Sequence, residues 1–261
     1  MKKINGVAPV LLLVVTTGSL FGCITGPPEQ PYYVTPERQL ENVYYTPTTP
    51  NIPLLNKKNS FLLSTHYGGN SDFKNVDVQT AYMPGKKFGL MAAFRVSSYK
   101  EKEYYELGHS NGIEIGAGYI APSKSNFHFE VYGGIGTRSI FNEHYTGNSK
   151  TNFTSYFVQP AFYVEDDDNI VQFSVVPRFT LNRFKIQKQD YNPDRERLVD
   201  EQFSIMEKNP GQYFFEPTAL LRVGWQSVKF QFSYTYSKNL TSGKFHGAGS
   251  NLSFGIVFTT N

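Results

Sequence analysis

The sequence has one cysteine, Cys23, one tryptophan, and no apolar run long enough for a membrane-spanning helix. A lone cysteine excludes an intrachain disulfide. The run over residues 7–15 falls short of the roughly 20 residues a helical crossing needs, and Pro9 interrupts it. Runs of Lys or Arg are missing too, and a net charge of +3 is too small to argue for nucleic acid. None of the five histidines, His66, His109, His128, His144 and His246, stands at a metal-binding spacing. Neither a metal nor a cofactor is expected.

What the chain has is aromatic residues in alternation. Phe, Tyr and Trp make up 16% of it, with 22 Phe and 18 Tyr, yet the mean hydropathy is only −0.38. In residues 228–237, Val228, Phe230, Phe232, Tyr234 and Tyr236 share one side of an extended chain, opposite Lys229, Gln231, Ser233, Thr235 and Ser237. A period of two in β-branched and aromatic residues marks a strand. About ten such stretches lie between Ser60 and Thr259. Tight connections at 84–86, 122–126, 165–169 and 226–227 alternate with mostly longer ones, up to 185–212. Short turns at one rim and long loops at the other predict an all-β fold. It is a transmembrane antiparallel up-and-down barrel of about ten strands, each roughly 9–11 residues long.

A soluble barrel would show the same alternation with its apolar face inside. The polar face decides between the two. It carries many glycines, among them Gly89, Gly116, Gly118, Gly134 and Gly136, with several serines and one mid-strand lysine. A water-facing exterior of that size needs more Lys and Glu. Small residues suit a narrow lumen, and large aromatics suit a lipid-facing wall. The same face holds Asp77, Glu114, Glu130 and Glu216 against Arg95, Arg138, Arg178, Arg222 and Lys229. Nearly balanced charge predicts a polar core paired across the lumen, in preference to a transport path.

Ahead of the strands, Lys2 and Lys3 precede the short apolar run, then Leu20-Phe21-Gly22-Cys23. This reads as a signal peptide over residues 1–22, followed by a lipidated Cys23 of the bacterial lipobox kind. Residues 23–58 are rich in proline and read as an extended periplasmic linker, before a barrel domain over 59–261. The N-terminus and the short turns are expected in the periplasm and the long loops outside the cell. Within the longest loop, apolar residues between Pro193 and Pro210 fall near helical spacing, which predicts a short amphipathic helix. Loop 185–212 and linker 24–58 are the expected contacts for protein partners.

Chemistry is weakly signalled. Glu114 and Glu130 invite a paired-carboxylate reading, and His109-Ser110 is the one adjacent pair faintly suggesting a rim hydrolase. No catalytic residue is assigned. From Pro50 onward the chain resembles lipoprotein-signal β-barrels of the Bacteroidota. The matching stretches are 53–58, 77–82, Phe129-Glu130-Val131-Tyr132-Gly133-Gly134-Ile135-Gly136, and Phe215-Glu216-Pro217 with Val223-Gly224-Trp225. The resemblance implies an outer-membrane barrel serving as a non-enzymatic accessory subunit of an envelope machine for barrel assembly, secretion or uptake. A small channel and a rim-located hydrolase are the alternatives.

Overall fold

Alternating sequences extend into strands because each pleat sends successive side chains to opposite faces. The computed structural model describes residues 43–55, 58–100, 106–123, 125–144, 146–225, 227–241, 245 and 247–260, all within the folded unit Gln39–Asn261. The expected signal peptide and Cys23 lie outside the described residues.

The strands are β1 Phe61–Gly69, β2 Phe73–Tyr82, β3 Phe88–Lys100, β4 Glu106–Ile120, β5 Phe127–His144, β6 Gly147–Glu165 and β7 Val171–Asp190. Helix α1, Arg197–Lys208, precedes β8 Gly211–Trp225, β9 Val228–Tyr236, β10 Lys238–Asn239 and β11 Ser250–Thr260. Each of β1 to β8 pairs antiparallel with the next, β9 pairs with β11, and β11 returns to β1 from Phe61↔Thr260 to Gly69↔Leu252. Ten strands therefore close into a barrel, with no free edge along the wall. The two residues of β10 only lengthen the margin of β8, at Phe214 and Phe215.

The wall is apolar outside and polar inside. Phe94, Ile115, Val158, Phe179, Phe232 and Phe254 are exposed on the outer face, while Asp77, Gln79, Arg95, Glu130 and Arg178 are buried on the inner one. That inversion of a soluble barrel is what lipid demands. On β3 the outward residues Phe88, Leu90, Phe94 and Val96 are all exposed. At about 3.3 Å per residue and a tilt of about 40°, they span an apolar band about 20 Å tall. Phe61, Tyr82, Phe88, Tyr119, Phe127 and Trp225 form an exposed aromatic ring at the short-turn rim.

Two expectations need correction. β5, β6 and β7 run for 18, 19 and 20 residues, well past the lengths expected from apolar alternation. Their outer parts carry Ser139, Asn152, Arg183 and Lys185 outward, yet the ladder continues through His144↔Gly147. Backbone pairing needs no lipid on its face, so the strands persist after the apolar pattern stops. Connections at the far rim are correspondingly shorter than expected. Residues 70–72 join β1 to β2, and residues 145–146 join β5 to β6.

Mid-wall, the ladder between β6 and β7 skips from Val158↔Phe179 to Phe162↔Val175, the interval that contains Pro160 and Pro177. Pro177 also stands opposite Pro217. Proline has no N–H to give a ladder. The gap is bridged from the lumen side, where Arg178 Nη1 donates to Gln159 Oε1 at 3.2 Å.

The inverted wall makes a direct prediction. Phe232, near the middle of β9, is 53% exposed, and in a soluble barrel Arg would be harmless there. In lipid, Phe232→Arg should cost about 2–4 kcal/mol, while Ser139→Arg, above the apolar band, should cost about 0–1 kcal/mol. Urea unfolding in phospholipid vesicles measures both. Equal costs would show that the apolar face does not meet lipid.

Candidate functional site

Residues 43–55 run through the barrel's interior, where every one of them is buried. The sequence placed them in a periplasmic linker, and this is the largest correction the structure makes. Val43 and Tyr44 cluster with Phe73, Tyr99, Ile140 and Phe184 at the long-loop mouth. Leu55 packs with Leu62, Ala81, Met83 and Val257 at the short-turn mouth. An extended, proline-containing chain advances about 3.1 Å per residue, so the segment covers about 37 Å, enough to run from mouth to mouth.

The segment fits because its sequence changes character where the lumen does. At the long-loop end Tyr45 stacks on Phe214, with ring centroids 4.1 Å apart. In the middle, Thr46, Thr48, Thr49 and Asn51 meet the polar belt. Gln79 Nε2 donates to the Thr49 carbonyl at 2.8 Å, and Gln159 Nε2 to the Asn51 carbonyl at 2.7 Å. At the short-turn end Ile52 and Leu54 pack on Ala161, Tyr163, Val176 and Leu220. Pro47, Pro50 and Pro53 bring no N–H into a space where an unpaired donor would be costly. Glycine makes room beside the floor: a Cβ at Gly118 would lie 2.5 Å from the Tyr132 ring.

The nine charged residues read from the sequence are all on the inner wall, but they do not simply neutralise one another. Asp77 and Arg95 face each other in register and form a two-pronged ion pair, with Arg95 Nη2 2.7 Å from Asp77 Oδ2. Arg178 lies between Glu114, 2.9 Å away on β4, and Glu216, 3.7 Å away on β8. Tyr45 donates its hydroxyl to Glu216 at 2.7 Å. Arg138 donates to the Thr46 carbonyl at 3.0 Å and to its hydroxyl at 2.9 Å. Arg222 donates to Gln231 Oε1 and to the Ile52 carbonyl, each at 2.7 Å. Arg95 also donates to the Pro47 carbonyl. Glu130 is fully buried near the short-turn end, and neither of its carboxylate oxygens is hydrogen-bonded among the described residues. Lys229 donates to the carbonyl of Asn169, in the β6–β7 turn. Three arginines thus bind backbone carbonyls of the threaded segment. A cavity of about 10 Å³ beside Thr48, Arg95, Glu114 and Arg138 leaves room for about one water.

No protein-family model matches the chain, and no curated protein does. Among solved structures, the translocator domain of the autotransporter NalP from Neisseria meningitidis is similar at 9% identity. The match covers 80% of this chain and 90% of that one, with a TM-score of 0.46. The outer membrane protease OmpT from Escherichia coli matches at 10% identity over 77% of this chain and 97% of that one, with a TM-score of 0.40. The N-terminal β-barrel domain of Pseudomonas aeruginosa OprF matches at 11% identity over 78% and 98%, with a TM-score of 0.34. At these scores the likeness carries nothing about activity.

The fold separates the adjacent pair His109-Ser110. His109 and Ser110 sit on β4, where the His109 ring is exposed against Phe141 and Ser110 is buried on the opposite face. Adjacent strand residues cannot converge on one substrate atom. Glu114 is likewise engaged, in the ion pair with Arg178, and Glu130 is fully buried near the short-turn mouth.

The long-loop mouth is closed by α1, which forms where apolar spacing predicts it. Val199, Phe203 and Met206 share its buried face, and Phe203 meets Tyr44 edge-on with centroids 5.6 Å apart. Glu196, just before the helix, accepts from the Thr146 backbone N–H at 3.0 Å and ties the helix to the β5–β6 turn. Beside that turn, above the apolar band, burial pushes the His144 imidazole down to about 4, so it is neutral at physiological pH.

Proline and threonine suit a solvated linker as well as a threaded segment, so composition alone hides the threading. The sequence signal for it is the order of residues: Tyr44-Tyr45 first, Thr and Asn between, Ile52, Leu54 and Leu55 last.

Removing the hub of the polar belt tests its importance. Arg178→Ala leaves two carboxylates buried without their cation and should cost about 3–5 kcal/mol. Tyr45→Phe removes one hydrogen bond to a buried carboxylate and should cost about 1–3 kcal/mol. Heat-induced unfolding in detergent should rank them in that order. An unchanged midpoint for both would mean that the segment and the belt do not hold each other.

Proposed function

We propose that this protein is a non-enzymatic barrel lipoprotein of the outer membrane that serves as a structural or accessory subunit of a larger envelope assembly. It works through its surfaces, with the short turns in the periplasm and the long loops outside. One observation carries the reading: residues 43–55 occupy the lumen from mouth to mouth. A barrel so filled offers ions no aqueous route, because conduction needs water or ligands along the whole path. What remains for recognition is the outer wall and the ordered cap, where α1 presents Leu198, Asp200 and Glu201 on its exposed side.

The purified protein should be electrically silent in a planar bilayer. Replacing residues 43–55 by a Gly-Ser linker of equal length should produce conductance from the emptied lumen. Reproducible ion-selective steps from the unaltered protein would transfer the assignment to a channel. Isolation of the native protein in mild detergent should retain protein partners, and a strictly monomeric product would remove the accessory-subunit reading. Labelled palmitate should enter the protein and be lost in Cys23→Ser, whereas label surviving that change would rule out the expected anchor.

A further inference from the structure

We propose that the chain preceding Val43 leaves the barrel at the long-loop mouth, so that the protein carries its own N-terminal segment across the membrane. The lipid expected on Cys23 is then anchored in the leaflet beside the long loops. This rests on the outer-membrane reading above but reverses the periplasmic location that the sequence predicts for the N-terminus.

The direction of the threaded segment is fixed at both ends. Tyr44 contacts Phe203 of the α1 cap, and Ala248, in the loop before β11, donates its backbone N–H to the Tyr45 carbonyl at 2.8 Å. Leu55 ends among Leu62, Met83 and Val257, at the mouth where β1 begins with Phe61. The polypeptide therefore descends from the long-loop mouth to the short-turn mouth and then turns up into the wall. Whatever precedes Val43 begins on the long-loop side.

No route leads back. Among the described residues the lumen holds one strand of polypeptide, every residue of it buried, and the cavity beside it has room for about one water, which is far too little for a second pass. A return along the outer wall would drag bare backbone N–H and C=O groups through hydrocarbon, which only helices and closed sheets survive. Cys23 stands 20 residues before Val43. An extended chain of that length reaches at most about 70 Å, ample to come down from the rim to the adjacent lipid surface.

Three variants, each with one cysteine added to Cys23, test the proposal on intact cells with a membrane-impermeant maleimide, the unsubstituted protein giving the background from Cys23. Gln39→Cys should label as strongly as Asn192→Cys, beside the cap, and unlike Asp167→Cys, in the β6–β7 turn. Labelling of Gln39→Cys that follows Asp167→Cys overturns the proposal. If Asn192→Cys and Asp167→Cys exchange their expected reactivities while Gln39→Cys still follows Asn192→Cys, the threading stands and the orientation in the membrane is reversed. A second arm needs no cells. Thr49 Oγ1 lies 3.4 Å from Ser253 Oγ, so Thr49→Cys with Ser253→Cys in Cys23→Ser protein should oxidise to a disulfide in the folded barrel. Both thiols should then become unreactive until reduced. Persistent free thiols in folded protein would mean that the segment is not in the lumen.

Discussion

The structure depends on keeping guanidinium groups supplied with acceptors in a space that lipid has forced to be closed. Each arginine offers five N–H donors and cannot shed its charge. The inner wall holds four of them, Arg95, Arg138, Arg178 and Arg222, against four carboxylates. Carboxylates alone do not meet the demand, because two of them converge on Arg178. The carbonyls of Thr46, Pro47 and Ile52 supply what is lacking to Arg138, Arg95 and Arg222. A proline-rich segment suits this task for a simple reason: it is rich in acceptors and poor in donors, so it satisfies arginines without adding N–H groups that need partners of their own.

The same logic accounts for the cap and the weak point in the wall. Tyr44 and Tyr45 give the segment an aromatic end, and α1 covers it with Phe203 while Glu196 secures the helix to the β5–β6 turn. Extension of β5, β6 and β7 beyond the apolar band supplies the wall on which the cap rests. Where Pro160 and Pro177 interrupt the ladder between β6 and β7, Arg178 and Gln159 join the strands from inside, and Gln159 also holds the Asn51 carbonyl. Barrel and segment stabilise each other at a place where the sheet lacks its own bonds.

The barrel was legible in the sequence because alternation is local. A period of two in Val228 to Tyr236 needs no knowledge of any other residue, and glycine on the polar face told which side was inside. The inner charged residues followed from the same count. Their partners did not follow. That Arg138 would bind the Thr46 carbonyl rather than a carboxylate depends on a chain segment some 90 positions away, and no periodicity connects the two. The strand ends of β5 and β6 escaped for a different reason. Apolar alternation reports contact with lipid, whereas pairing continues wherever two backbones lie in register.

The closure of β1 on β11 around an occupied lumen also dictates an order of events. The threaded residues are synthesised before any strand, and β11, which completes the wall, is synthesised last. A finished barrel with so little spare volume cannot be threaded afterwards by a chain carrying tyrosines and a long N-terminal extension. The sheet must instead curl around residues 43–55 while its first and last strands are still apart. The segment is then less a stopper placed in a tube than the mandrel on which the tube is rolled.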